Sequence, residues 1–155
     1  MINMIKGFIP EKLYKKIVKT IPITCVDLVI KREKYFLLVK RKKNPAKDKW
    51  WFPGGRLLLN ESLRAGAKRK LKEELGIKKI KTIKFLAVEE TKFKKGYFEF
   101  PSHSVNVTFL AEIDNFQAKN INLDTKNHLD YKWFQRIPAK TDPYVKNFLK
   151  LAGFK

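Results

Sequence analysis

The chain has 155 residues, of which 44% are hydrophobic and 32% are charged. This length and composition are typical of one globular domain, so we expect residues 1–155 to form a single domain with a buried core. No run of about 18 apolar residues occurs, which argues against a membrane span. The N-terminal segment carries charges within its apolar stretch and lacks a small-residue cleavage site, so we expect no signal peptide.

The charge balance is strongly positive, because 35 Lys and Arg stand against 15 Asp and Glu and give a net charge of +20. A field of this sign concentrates anions, of which nucleotides and nucleic acids are the usual ones. The lysines are spread over the whole chain, a pattern typical of solvated faces. A nucleic-acid-binding module is therefore an alternative that the composition permits but does not favour.

The single cysteine is Cys25, within the apolar segment ITCVDLVI. One cysteine excludes an internal disulfide and fits a reducing compartment, so we expect a cytoplasmic protein. The apolar setting favours a core thiol over a nucleophile, since nothing nearby in the sequence would lower the pKa of the thiol. Asp27 lies in the same segment and must be hydrogen-bonded or face a cleft, because an unpaired buried carboxylate is too costly.

The hydrophobic pattern predicts an α/β chain with a mixed sheet and two or three helices. The predicted elements, in chain order, are a helix at 11–19, strands at 21–30 and 35–41 joined by a turn at 31–34, a loop at 42–50, a helix ending at Leu75, strands near 80–90, 104–113 and 131–135, and a terminal helix from Pro143. Ser62 is the expected N-cap of the middle helix, and Gly76 its left-handed stop. His103, after Pro101, is expected in a loop.

The middle helix predicts two adjacent faces. An apolar stripe comprises Leu63, Ala67, Leu71 and Leu75. At about 100° per residue, Lys70, Glu73, Glu74 and Gly66 share the neighbouring face. Clustered carboxylates repel one another unless cations neutralise them, and hard oxygen ligands suit Mg²⁺ or Mn²⁺. The alternative is a solvated helix face on which neighbouring lysines pair with the two glutamates.

Six positions around this helix resemble the Nudix box: Gly55, Glu61, Arg69, Glu73, Glu74 and Gly76. The resemblance implies a Nudix-type α/β/α sandwich and a hydrolase of nucleoside diphosphate compounds. Lys70 departs from the pattern, because the family has a glutamate there. An ammonium in the acidic cluster can pair with Glu74 or Glu73, so we expect one metal per active site, with Glu74 the best ligand.

Residues outside the box are similar to the GDP-mannose mannosyl hydrolase branch of the superfamily. The shared residues are Thr20, Pro22, Asp27, Arg41, Pro45, Ala46, Trp50, Pro53, Gly54, Gly55, Arg56, His128, Asp130, Tyr131 and Trp133. The resemblance implies a Mg²⁺-dependent hydrolase of a nucleotide sugar, GDP-mannose above all. Water would attack the anomeric carbon and release a nucleoside diphosphate and a free hexose. We also expect a homodimer.

The resemblance also implies site roles. Gly54 (through its carbonyl), Glu74 and Asn127 would bind the metal, Glu73 being a further candidate ligand; Arg41, Arg56 and Arg69 would clamp the diphosphate; Asp27 would contact the sugar; and His128 would be the general base. The tandem Trp50 and Trp51 could stack on the nucleobase or pack beneath the box loop.

The chain also departs from the branch. Asn127 stands where the branch has Gln, Ser104 stands where it has a Tyr that holds the leaving group, and a histidine expected within 89–92 is absent. Glu73 survives although the branch usually loses it, so the chain is intermediate between two chemistries. A Nudix pyrophosphatase that cleaves between the phosphates is therefore the alternative enzyme.

Overall fold

A computed structural model describes residues 9–155. The expectation of no signal peptide falls partly on residues 1–8, which lie outside the described residues. The elements are α1 (Glu11–Thr20), β1 (Ile23–Arg32), β2 (Tyr35–Arg41), β3 (Trp50–Trp51), β4 (Gly54–Arg56), α2 (Leu63–Leu75), β5 (Thr82–Phe93), β6 (Ser102–Glu112), α3 (Asn115–Lys119), β7 (His128–Phe134) and α4 (Pro143–Leu151). Within residues 9–155, no helix is long and apolar enough to cross a membrane.

Seven strands form one sheet in the order β3-β2-β1-β6-β5, with β4 also paired to β1 and β7 to β2. Strands β1 and β6 run parallel and every other pair is antiparallel, so the mixed sheet predicted from the sequence is confirmed. The β1–β2 turn is tighter than predicted. Lys31 and Arg32 belong to the strand, and Glu33 turns the chain with a φ of 51°.

Alternate residues of the central strands face two different helices. Val26, Leu28 and Ile30 of β1 cluster with Ala67, Leu71 and Leu75 of α2. Val29 of β1, with Phe36 and Leu38 of β2, clusters instead with Val145, Phe148 and Leu149 of α4. Because side chains alternate across a strand, α2 and α4 cover opposite faces of the sheet. The predicted α/β/α sandwich is confirmed.

Both predicted ends of α2 are confirmed. The Ser62 hydroxyl accepts a hydrogen bond from the Ala65 N–H, and Gly76 adopts a left-handed φ of 68°. The apolar stripe is shorter than predicted, because Leu63 is 38% exposed while Ala67 is fully buried. Helix side chains tilt toward the N-terminus, so the side chain of Leu63, the first residue of α2, extends beyond the end of the buried face.

Two further predictions were wrong. The described residues contain four helices rather than two or three, and α3 is the one that was not predicted. This single short turn is held by the Asp114 side chain, which accepts from the Gln117 N–H. A helix of five residues leaves too little periodicity to detect. His103 lies in β6, paired with Lys92 of β5, because the strand begins directly after Pro101.

Candidate active site

A cluster of charged side chains lies on α2, as the box pattern predicts. The Lys70 ammonium is 2.8 Å from Glu74 Oε1 and 3.3 Å from Glu73 Oε2, so it pairs with both glutamates. Glu74 is buried, with 5% of its side chain exposed, whereas half of the Glu73 side chain is exposed. Lys70 therefore neutralises a carboxylate that has almost no contact with water.

The charges of this pair are mutually stabilised. Burial alone would lower the pKa of Lys70, but the charges and hydrogen bonds of Glu74 and Glu73 together outweigh burial, and the pKa ends above its ordinary value. Burial would likewise raise the pKa of Glu74, but hydrogen bonding from His128 and the charge of Lys70 leave that pKa below its ordinary value. Both shifts favour the ionised forms, so the pair is an ammonium and a carboxylate at neutral pH.

The predicted base, His128, belongs to the same buried cluster. Its Nε2 is 2.8 Å from Glu74 Oε2, and the residue is 3% exposed. Nε2 donates to the carboxylate, while Nδ1 is buried and has no hydrogen-bond partner among the described residues. The imidazole therefore stabilises the Glu74 carboxylate by donating a hydrogen bond to its second oxygen.

Arg69, predicted to clamp the diphosphate, is engaged within the protein. Its Nε and one terminal nitrogen hold both oxygens of Glu61, at 2.7 and 3.0 Å. The guanidinium also donates to the Arg56 carbonyl at 3.0 Å and to Glu73 at 3.1 Å. Arg69 therefore ties the loop before α2 to the helix, and it fixes the backbone at Arg56.

The predicted metal ligands do not form a metal-binding donor set. Glu74 Oε1 faces the Lys70 ammonium, while Oε2 faces His128 and accepts from the Gly54 N–H at 3.3 Å. The Asn127 side chain is exposed and donates to Asp124. Within residues 9–155, no three His, Cys, Asp or Glu side chains converge where a metal ion could sit. A divalent cation would have to displace an ammonium from the cluster, so this arrangement does not fit one.

A cavity of about 320 Å³ lies beside this cluster. Four predicted site residues line it: Asp27, Arg41, Gly54 and Arg56. The other five, Arg69, Glu73, Glu74, Asn127 and His128, are not among its lining residues. The volume is within the range of small-ligand pockets. The structure therefore divides the predicted site between a charged cluster and a cavity.

Asp27 is the one carboxylate among the described residues lining the cavity. Its Oδ2 accepts a 2.7 Å hydrogen bond from the Tyr144 hydroxyl, so the expectation that Asp27 is bonded or faces a cleft is confirmed on both counts. Burial raises the pKa of Asp27 to about 6. A Cβ on Gly54 would overlap Asp27 Oδ1, so only glycine permits this close approach.

Two arginines, Arg41 and Arg56, line the same cavity as Asp27. Arg41 is partly buried, and its Nε donates to the Pro45 carbonyl at 2.7 Å. Arg56 lies over the Tyr14 ring of α1, 5.5 Å from its centre. The backbone of Arg56 is fixed in turn by Arg69. Both guanidinium groups are therefore placed to meet an anionic ligand.

Aromatic side chains form much of the remaining wall: Tyr14, Trp51, Phe52, Phe93, Tyr97 and Phe98. Trp51 is 6% exposed and stacks on Tyr144 of α4, with ring centres 5.3 Å apart, so most of its ring is packed against α4. Cys25 also lines the cavity rather than lying within the core, and burial raises the pKa of its thiol to about 12. The thiol is therefore protonated at neutral pH, as a non-nucleophilic role requires.

Tyr144 was not predicted as a site residue. It lies in the first turn of α4, directly after Pro143, where its ring fits the apolar face of the helix. Burial raises the pKa of its phenol, and the Asp27 carboxylate adds to that rise. Only the packing of α4 against the sheet brings this hydroxyl to Asp27, 117 positions earlier in the chain.

The family assignment rests on most of the chain. A model of the NUDIX domain matches residues 22–149. The low-salt glycan biosynthesis protein Agl8 of Haloferax volcanii is 31% identical over 152 residues, which cover 91% of this chain and 88% of that protein. The chain belongs to the Nudix family.

Two more distant matches are consistent with this family assignment. The ADP-ribose pyrophosphatase of Methanocaldococcus jannaschii is 29% identical over 99 residues, covering 63% of this chain and 55% of that protein. The MutT NUDIX hydrolase of Burkholderia pseudomallei has a similar fold, with a TM-score of 0.69 and 24% identity over 84% of this chain and 98% of its own. The class defined by fold and box is therefore that of Nudix hydrolases.

Proposed function

We propose that the chain hydrolyses a nucleotide sugar, with water attacking the anomeric carbon. The observation that carries this proposal is the pairing of Glu74 with Lys70 and His128, beside a cavity that presents Asp27 and two arginines. A cut between phosphates draws on divalent metal ions, held by carboxylates, to stabilise charge on the phosphoryl oxygens. Substitution at carbon needs a base and a stabilised leaving group, which the cavity residues supply.

The leaving group is the nucleoside diphosphate. As the bond between the anomeric carbon and the diphosphate oxygen breaks, its electron pair stays on that oxygen. Arg41 and Arg56 line the cavity and offer charge-assisted donors for the negative charge that develops there. Arg69 contributes indirectly, because it holds the backbone carbonyl of Arg56.

The base that takes the proton from water is Asp27 in this proposal. Asp27 lines the cavity, and its pKa of about 6 suits a base that operates near neutral pH. The resemblance to the GDP-mannose mannosyl hydrolase branch favours His128 instead. His128 is buried against Glu74 and is not a lining residue, so the geometry supports Asp27.

The aromatic wall suits the nucleobase end of the substrate. Exposed or half-buried rings at Tyr97 and Phe98 could stack on a base, and stacking is tolerant of base identity. GDP-mannose is the first substrate to test, because the branch resemblance names it. The Haloferax volcanii relative supports a sugar nucleotide in general terms, since its name places it in glycan biosynthesis, which consumes activated sugars.

The test is hydrolysis of GDP-mannose in ¹⁸O-water, with the nucleotide product analysed by mass spectrometry. The free hexose exchanges its anomeric oxygen with water, so the nucleotide is the reliable product to score. Attack at carbon gives GDP without ¹⁸O. GDP that carries ¹⁸O would instead indicate attack on phosphorus and contradict the proposal.

The alternative enzyme is a pyrophosphatase, favoured by the similarity to the Methanocaldococcus jannaschii ADP-ribose pyrophosphatase. It would give GMP and mannose 1-phosphate, one of them labelled. ADP-ribose is the matched second substrate for the same assay. Turnover of ADP-ribose to AMP, with no turnover of GDP-mannose, would replace the first proposal by the second.

A further inference from the structure

The Lys70 side chain occupies the centre of the acidic cluster. Its ammonium touches Glu74 Oε1 and Glu73 Oε2, while its side chain is 17% exposed. The stem of the side chain crosses Gly55, since a Cβ on Gly55 would lie 3.1 Å from Lys70 Cε. Packing over a glycine therefore helps to hold this ammonium against the glutamates.

The second oxygen of Glu74 is also engaged. It meets His128 Nε2 at 2.8 Å and the Gly54 N–H at 3.3 Å. The carboxylate thus has a cation on one oxygen and two nitrogen donors on the other. A buried carboxylate requires such compensation, because removing a lone charge from water is prohibitive.

A divalent ion would compete for oxygens that are already neutralised. It would enter beside the Lys70 ammonium, and the Arg69 guanidinium contacts the same Oε2 of Glu73 as Lys70 does. A divalent ion next to the Lys70 ammonium would be strongly repelled, because a poorly solvated site screens charges weakly. Displacing Lys70 would also break its ion pair with Glu74. This step is costly, because only 5% of the Glu74 side chain is exposed.

We propose that the Lys70 ammonium is the resident cation of this Nudix box and that α2 holds no divalent metal ion. Glu74 and His128 then form, with Lys70, a buried network that fixes α2 to β4 through the Gly54 N–H. This inference deepens the proposed function by naming the cation of the site. It does not depend on which bond the enzyme cleaves, because metal binding is measured without substrate.

The experiment is a Mn²⁺ titration of the substrate-free chain, followed by electron paramagnetic resonance of the unbound ion. The parent is expected to show no saturable site below millimolar Mn²⁺. Lys70→Glu restores a third carboxylate and is expected to create at least one micromolar site. Lys68→Glu makes the same charge change about 160° around the helix and is the matched control, expected to resemble the parent.

Two outcomes overturn the inference. One is saturable, micromolar Mn²⁺ binding by the parent that Glu74→Gln abolishes. The other is a folded Lys70→Glu variant that binds no more Mn²⁺ than Lys68→Glu does. That result would mean that the Lys70 ammonium does not take the place of a metal ion. If Lys70→Glu fails to fold by circular dichroism, Lys70→Gln, which frees Glu74 without adding a charge, is judged by the same criteria.

Discussion

The α2 cluster (Lys70, Glu73, Glu74 and His128) and the cavity beside it contain similar side chains in different states. In the cluster, each charged side chain is paired with another group of the protein at hydrogen-bond distance. In the cavity, Asp27 and the two arginines line an open volume of about 320 Å³. In the proposed function, the chemistry takes place in the cavity and not among the box residues of α2. Their partners decide whether they bind a ligand or stabilise the fold.

The largest expected effect comes from removing the cavity carboxylate. Asp27→Asn should lower kcat on GDP-mannose by about 10² to 10⁴, the usual value of general-base assistance. The GDP dissociation constant should change little, since the arginines remain. His128→Gln is the matched comparison. If His128→Gln loses the larger share of kcat while still folded, the base has been assigned to the wrong region.

The second effect concerns stability. Glu74→Gln leaves Lys70 and His128 without their shared carboxylate, and breaking a buried pair costs about 3 kcal/mol or more. Urea unfolding at neutral pH should show this loss. Glu112→Gln is the control, because its contact with Lys81 is 4.0 Å long and exposed. Equal losses in the two variants would mean that the α2 cluster is not a stabilising network.

The third effect separates a specific clamp from general charge. Arg56→Gln should weaken GDP binding by about 10- to 100-fold, the value of hydrogen bonds to a charged group. Arg64→Gln removes the same charge from the exposed face of α2 and should change affinity by less than about twofold. Calorimetry measures both. Similar losses in both variants would attribute binding to the net charge of +20.

A smaller effect follows from the pKa of Asp27, which burial raises to about 6 from an ordinary 3.8. Between pH 3.8 and about 6, Asp27 keeps a proton in the folded chain that it has lost in the unfolded chain. The stability from this group is therefore complete below pH 3.8 and is lost as pH rises through about 6. Asp27→Asn should accordingly be more stable than the parent at pH 7.5, by roughly 1 to 3 kcal/mol. Urea melts in which this gain fails to shrink toward pH 4 would contradict the assigned pKa.

Most of the fold could be predicted from the sequence, because it depends on local signals. Alternating and continuous apolar runs identified β1 and β2, and Ser62 and Gly76 marked the ends of α2. The short helix α3 was missed because five residues leave too little periodicity to detect. The strand position of His103 was missed because it depends on pairing with Lys92 of β5. The single domain, homodimer and cytoplasmic location stay predictions.

The site was predicted less completely. The helix geometry correctly placed Lys70 among the glutamates, because residues three and four apart lie on one face. Neither the enclosure of His128 by Glu74 nor the bond from Tyr144 to Asp27 could be predicted, because each joins elements more than 50 residues apart.

The most direct test of the division between cluster and cavity is the single-turnover rate of Glu74→Gln with saturating GDP-mannose, measured below its melting temperature. If the cluster serves the fold, the rate constant should stay within about threefold of the parent. A fall of about a thousandfold in a variant shown to be folded would mean that Glu74 takes part in the chemistry, and the account would be wrong.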